Sequence, residues 1–363
     1  MNQHEYYIKR CIELAKQGEG KVAPNPLVGA VVLDKNGVVI AEGYHEKYGE
    51  LHAEANALKN VGEEAKGGTI YVSLEPCSHW GKTPPCADLI IEKGLKKLVV
   101  GMVDPNPVVA GRGIERCKNA GIEVITGVLE DECKKLNEIF IKHITQKKPF
   151  VAIKTACTMD GKIATKTGSS KWITSENARN EVQRLRNKYD AILTGSGTVI
   201  ADNPSMNCRM EKGRNPVRIV VDSELKTSPD SKIYNNDNTR VIIAVKQDIN
   251  EEKIKQYPEN VEFIKCTPNQ DGKVDLKYLI NKLYETGITS ILVEAGGILN
   301  GQLVKSGLVD KIYMFMAPKI LGDSEGKSFI EGFDIKDIND SLGLKFDAIK
   351  EYSPDILVEG YFC

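Results

Sequence analysis

The sequence predicts an α/β protein of two domains. Three observations carry that expectation. Strand-like and helix-like segments alternate along the whole chain. The length, 363 residues, is about twice the roughly 150 residues usual for one domain. Finally, Gln146-Lys147-Lys148-Pro149 breaks the rhythm near the middle, which sets expected domains of 1–146 and 150–363.

Within the first domain, residues 5–17 carry apolar positions at helical spacing: Tyr7, Ile8, Cys11, Ile12 and Ala15. Strands 28–33 and 38–41 flank Asp34-Lys35-Asn36-Gly37, read as an Asn-Gly hairpin turn. A helix is expected from Ala53, a strand over 69–74, a helix from Pro85, a strand over 98–103, a short helix over 113–120 and a strand over 122–126. The spacing of Leu129, Cys133, Leu136, Phe140 and Ile144 predicts one helix over 129–145. The second domain opens with strand 150–154. Further strands are expected at 190–194, 217–222, 240–245, 261–265, 289–293 and 311–316, with helices at 175–188, 275–286 and 298–306. The polar tract 226–239 reads as a surface loop. The halves share a class but no motif, so the chain reads as a fusion and not a duplication.

Composition narrows the function. Apolar residues make up 41% and charged residues 27%, which excludes wholesale disorder. Lysine plus arginine is 49 against 50 for aspartate plus glutamate, and each half is separately balanced, so neither is a basic body suited to nucleic acid. Phosphorylated small molecules stay open as ligands. Nine cysteines, an odd number, suit a reducing cytoplasm where clustered thiols bind metal. No signal peptide precedes the first helix, and no apolar run reaches the 18 residues of a membrane span.

The strongest chemical signal is His52-Ala53-Glu54 followed by Pro76-Cys77 and Cys86. One imidazole and two thiolates make a three-ligand zinc set with the fourth tetrahedral position left to water. Glu54, two residues from His52, can reach over that position without ligating and carry protons. This is the pattern of zinc deaminases acting on nucleobases and nucleotides. A purely structural zinc fits less well, since such sites close with four protein ligands. In the second half, Thr194-Gly195-Ser196-Gly197-Thr198 and Glu294-Ala295-Gly296-Gly297 each follow a strand, where glycine lets backbone N–H groups approach a pyrophosphate. No GxGxxG follows the domain's first strand.

Eight residues separate Cys77 from Cys86 where deaminases usually have two. The string Pro76-Cys77-Ser78-His79-Trp80-Gly81-Lys82-Thr83-Pro84-Pro85-Cys86 resembles the deaminase half of the bifunctional riboflavin-biosynthesis deaminase/reductase family. So do Ala23-Pro24-Asn25-Pro26-Leu27-Val28-Gly29 and Gly43-Tyr44-His45. Lys154-Thr155-Ala156, Met159-Asp160-Gly161-Lys162, Ser169-Ser170-Lys171-Trp172 and the run from Gly195 to Pro204 resemble its reductase half, so the likeness covers essentially the whole chain.

That resemblance implies a cytidine-deaminase-like α/β/α sandwich followed by a dihydrofolate-reductase-like domain. It implies zinc at His52, Cys77 and Cys86 with Glu54 catalytic. A phosphoribosyl pyrimidine would meet Asn25, His45, His79, Lys82, Asp104 and Asn106. NADPH would meet Ala156, Trp172, Thr198, Asp202, Gly296, Gly297, Ile298, Leu299, Asn300, Gly301 and Gln302. The reductase substrate would meet Ser170, Arg186, Met206, Arg209 and Glu294, with the two arginines on its phosphate. Read without the resemblance, Asp104-Pro105-Asn106-Pro107 is a turn, Arg186 a solvated helix face, and Trp172 a core or lid aromatic. Lys82 stands where the family often has arginine, keeping the charge but not the bidentate fork. The expected partner is a phosphorylated pyrimidine, with no nucleic acid or membrane and with a homo-oligomer open. The rival expectation is a tRNA deaminase with an appended domain.

Overall fold

The computed structural model describes residues 1–80, 84–107, 109–235 and 237–363. The chain divides into two compact units, Met1–Lys147 and Lys148–Cys363.

In the first unit, helix α1 (Gln3–Ala15) starts on a reciprocal cap: the Asn2 side chain accepts from Glu5 N–H, and the Glu5 carboxylate accepts from Asn2 N–H. Its buried face includes Ile8, Cys11, Ile12 and Ala15. Strands β1 (Gly29–Leu33) and β2 (Val39–Tyr44) form a hairpin. The expected turn at Asn36-Gly37 is present as part of a longer loop. Asp34 C=O accepts from Gly37 N–H and Asp34 N–H donates to Val38 C=O, while only Gly37, at φ 84°, is left-handed. The Asp34 carboxylate accepts from Asn36 N–H and Val38 N–H, which holds this longer loop.

The unit continues through α2 (Ala53–Leu58), β3 (Thr69–Leu74), α3 (Cys86–Glu92), β4 (Lys97–Met102), α4 (Arg112–Asn119) and β5 (Glu123–Thr126). The five strands lie in the order β2-β1-β3-β4-β5. β1 is antiparallel to both neighbours, and β3, β4 and β5 run parallel. Every residue of β1 is buried, as a strand covered on both faces requires. α2 packs closely on β2 because Gly43 has no side chain: a Cβ there would lie 2.5 Å from Ala57 N.

The single helix expected over 129–145 is two helices, α5 (Glu130–Leu136) and α6 (Glu138–Gln146). Asn137 breaks it at φ −107° and ψ 21°. Its amide reaches back across the sequence, accepting from Leu27 N–H at 2.8 Å and donating to Leu27 C=O at 3.0 Å.

The second unit is built on a nine-stranded sheet, with two further short strands paired apart from it. β6 (Phe150–Thr158) runs four residues past its expected end, and the short β7 (Lys162–Ala164) follows. Next come α7 (Glu176–Lys188), capped by the Ser175 hydroxyl on Ala178 N–H, then β8 (Ala191–Gly195), α8 (Ser196–Asp202) and β9 (Val217–Val221). The expected loop 226–239 contains a four-residue helix, α9 (Lys232–Asn235). The remainder is β10 (Val241–Lys246), α10 (Glu251–Ile254), β11 (Val261–Cys266), α11 (Leu276–Glu285), β12 (Ser290–Val293), α12 (Gly297–Lys305), β13 (Lys311–Ala317), β14 (Lys327–Ser328), β15 (Leu344–Tyr352) and β16 (Asp355–Phe362). The large sheet has the order β11-β10-β9-β8-β12-β6-β13-β16-β15, while β7 pairs with β14. β16 is antiparallel to β13 and β15; the strands from β11 to β13 are parallel. β12 is inserted between β8 and β6, so the carboxyl ends of these three parallel strands share one edge, where a crevice for a ligand forms.

Candidate active site

Three segments of the first unit converge on one point. His52 is the N-cap of α2, Cys77 follows β3 by three residues, and Cys86 opens α3. The His52 Nδ1 lies 3.6 Å from Cys77 Sγ and 3.5 Å from Cys86 Sγ, and the three donor atoms all fall within 4.8 Å of one another. Tetrahedral zinc with ordinary Zn–N and Zn–S bonds needs an N–S separation of about 3.6 Å, so the donor set fits. The three groups share protons. A hydrogen bond to Cys77 raises His52 to about 9, and a hydrogen bond from Cys86 lowers Cys77 to about 4 while driving the Cys86 thiol up. A divalent metal would displace these protons.

Glu54 lies in the first turn of α2 and is 3% exposed. Burial raises its carboxyl to about 7, near the value at which a group both takes and returns a proton at neutral pH. His45 is also buried, and its ring meets that of His52 edge-on at 5.5 Å. Its Nδ1–H donates to Leu51 C=O at 2.9 Å, and its Nε2 accepts from the Asn25 amide at 3.1 Å. Those two contacts specify the neutral ring, and burial lowers its pKa.

The loop after β4 carries two more of the expected substrate residues. Asp104 is 8% exposed, and its carboxylate accepts from Asn106 N–H at 2.8 Å. Burial pushes the Asp104 carboxyl up to about 6, with Glu75 adding to the rise and His79 opposing it. His79 itself is exposed. Lys82 lies outside the described residues. Glu75 was not singled out from the sequence. It is buried, and its carboxylate accepts from four backbone N–H groups, those of Asp104, Gly111, Gly113 and Ile114.

In the second unit a cleft of about 540 Å³ opens at the carboxyl ends of β8, β9 and β12. Thr198, Asp202, Gly296, Gly297, Ile298, Leu299, Gln302 and Ser170 line it. A Cβ on Gly197 or Gly296 would meet nothing, so both turns face open space, and the first N–H groups of α12 lie beside it. A pyrophosphate has room and donors there.

Two of the expected cofactor residues turn their side-chain positions away from the cleft. Asn300 is fully buried and its amide donates to Ala295 C=O and Phe329 C=O; Gly301 sits so close to the Glu331 carbonyl that a Cβ would be 1.7 Å away. Both face the interior, as the helical turn requires of residues four and five beyond its cap. Ala156 and Trp172 do not line this cleft. Trp172 is 64% exposed with the Arg179 guanidinium 4.6 Å over its ring.

Beside the cleft, Arg186 and Lys154 close on Glu294. Arg186 makes two bonds to the carboxylate, at 2.7 and 3.0 Å, and a third to Asn207 C=O at 2.9 Å. The amino group that bonds Glu294 also lies 3.8 Å from Met206 Sδ, and Lys154 Nζ lies 3.0 Å from the same carboxylate. Burial would raise Glu294, yet Arg186 and Lys154 together hold it well below the usual carboxylate range. Arg186 is therefore neither a solvated helix face nor a free phosphate grip: most of its donors are engaged. Arg209 is exposed, held through its backbone N–H by the Gln183 side chain. The sequence offers Lys154 only within the Lys154-Thr155-Ala156 motif and with no role, because a lysine inside an apolar strand carries no local pattern of its own. Glu294→Ala would leave two cations buried without a counter-charge. The second unit should lose about 3–5 kcal/mol of stability, read by denaturant unfolding.

A zinc-type deaminase centre on a five-stranded α/β unit, followed by a unit with a dinucleotide-type cleft, defines a bifunctional deaminase–reductase. A model of the cytidine and deoxycytidylate deaminase zinc-binding region matches residues 1–102, and one of the RibD C-terminal domain matches 149–358. The riboflavin biosynthesis protein RibD of Actinobacillus pleuropneumoniae is 46% identical, over 97% of this chain and 94% of its own. That of Escherichia coli K12 is 40% identical over 98% of each. A Thermotoga maritima crystal structure, a diaminohydroxyphosphoribosylaminopyrimidine deaminase/5-amino-6-(5-phosphoribosylamino)uracil reductase, superposes with a TM-score of 0.88 at 42% identity, covering 99% of both chains. The chain belongs to the RibD family of riboflavin biosynthesis proteins. Its cofactors are zinc and NADPH.

Proposed function

We propose that this chain deaminates 2,5-diamino-6-ribosylamino-pyrimidinone 5′-phosphate and then reduces the ribosyl side chain to ribityl. The observation that carries the reading is the His52, Cys77 and Cys86 donor set with Glu54 buried beside it. A small-molecule substrate suits a chain similar to RibD proteins from end to end, and that extent sets aside a tRNA deaminase with an appended domain. Among the described residues no helix is long and apolar enough to cross a membrane. The likeness to RibD enzymes supports a place in the cytoplasm.

In the deaminase, His52, Cys77 and Cys86 would hold zinc, which supplies Lewis acidity that makes water nucleophilic near neutral pH. Glu54 takes the proton of the attacking water and delivers it to the departing amino nitrogen, so water is consumed and ammonia released. Asn25, His45, His79, Lys82, Asp104 and Asn106 hold the substrate. His45, kept neutral and fixed at both nitrogens, orients rather than titrates.

In the reductase, Thr198, Asp202 and the turn from Gly296 to Leu299, with Gln302, would hold NADPH, which supplies hydride. Ser170, Met206 and the Lys154–Glu294–Arg186 cluster shape the substrate end, and Arg209 takes the phosphate. Arg209→Ala should weaken substrate use about ten- to a hundredfold with NADPH binding nearly intact, read from kcat/KM and cofactor titration. Equal reduction of the dephosphorylated substrate by the unaltered enzyme would overturn that role.

Mass analysis of the product tests the whole reading. Amino-to-carbonyl exchange is expected without NADPH, and addition of two hydrogens only with it. An unchanged diaminopyrimidinone in zinc-loaded enzyme would overturn it.

A further inference from the structure

Glu75 stands two residues before Cys77, on the segment that leaves β3. Glu75 N–H donates to Met102 C=O at 3.0 Å, which pins this segment to the end of β4. Its side chain does more. One oxygen accepts from Asp104 N–H at 3.1 Å and Gly111 N–H at 2.9 Å; the other accepts from Gly113 N–H at 2.9 Å and Ile114 N–H at 3.3 Å. A single carboxylate thus ties the Cys77 segment to the Asp104 loop and to the first turn of α4. The packing depends on that distance: a Cβ on Gly113 would lie 1.9 Å from Pro76 C=O. α4 has no cap of its own, since Gly111 precedes it, so the carboxylate supplied from β3 satisfies its first N–H groups.

We infer that Glu75 is a positioning residue of the deaminase, setting the spacing between the Cys77 segment and the Asp104–Asn106 loop so that substrate and metal-binding residues face each other. A helix cap alone needs only the Gly113 and Ile114 donors. The bond to Asp104 N–H adds nothing to α4; it holds the loop that carries Asp104 and Asn106. Four N–H donors also demand a full carboxylate, because an amide offers one acceptor oxygen and turns its own N–H₂ toward the remaining donors. The inference rests on the deaminase reading given above.

The test is Glu75→Gln in the full zinc-loaded chain. Deamination by the unaltered chain checks the reading itself, and the ratio between the two proteins checks Glu75. The KM for the pyrimidine substrate should rise about tenfold or more with a smaller change in kcat, as expected when a binding wall shifts while the reacting groups stay. Zinc should remain at about one per chain, and reduction of pre-deaminated substrate should not change. An unchanged KM would overturn the inference, and so would loss of zinc in step with activity, which would make Glu75 a support for the fold alone. If the variant does not fold, amide hydrogen exchange on the unaltered holoenzyme decides. The Asp104 and Gly111 amides should be protected together, as strongly as Gly113. Fast exchange at Asp104 would show that the clamp does not reach the loop, and would overturn it.

Discussion

Glu54→Gln should lower deamination by about 10²–10⁴-fold, the usual worth of a positioned general acid–base group. The substitution keeps the size of the side chain and removes only the atom that accepts and returns a proton. Burial makes that atom effective: the carboxyl is held near 7, so both of its protonation states are within reach at neutral pH. Zinc should stay, because the three donor atoms belong to His52, Cys77 and Cys86. Reduction of pre-deaminated substrate should be normal, because the Lys154–Glu294–Arg186 cluster lies in the other unit. Deamination, zinc content and reduction measured on one preparation check all three together. Near-normal deamination would remove Glu54 from the mechanism.

The second large effect comes from the donor set. Cys86→Ala leaves one imidazole and one thiolate, too few to hold zinc firmly. Deamination should fall below detection, and elemental analysis should find zinc well under one per chain. The backbone contact between the two is kept, because it is the Cys86 N–H, not its sulfur, that donates to Cys77 Sγ. Serine at the same position would keep the volume but not the thiolate, and should lose zinc as fully. Retention of stoichiometric zinc and deamination by either variant would mean that the ligands are other residues. The reductase supplies the internal control, since NADPH-dependent reduction does not draw on these groups.

The parts of the molecule written as local patterns were legible in advance. Ile8, Cys11, Ile12 and Ala15 repeat at helical spacing, and α1 buries that face. His52-Ala53-Glu54 with Cys77 and Cys86 was readable because zinc chemistry restricts both residue type and number. Contacts made across long stretches of chain left no such trace. Asn137 breaks a helix whose apolar spacing continues past it, because its amide finds a partner 110 residues away. Glu75 is one acid before a proline, and its partners lie 29 to 39 residues downstream. Strands β15 and β16 were not expected at all. Much of β15 is exposed, including Phe346 at 68% and Ile349 at 67%, so burial never imposed the alternation that marks a half-buried strand. α8 read as a glycine turn because Gly195 and Gly197 disfavour a helix, although Gly195 serves only as its cap.

The clamp of Asn137 on Leu27 also bears on the order in which the protein is made. Both backbone groups of Leu27 are satisfied by this one amide, two residues from the Asn25 side chain that holds His45. Domains emerge from the ribosome amino end first. His52, Cys77 and Cys86 have therefore all been synthesised while Leu27 still awaits its partner. The two hydrogen bonds that hold Leu27, next but one to Asn25, can form only once residue 137 has been made and has left the exit tunnel.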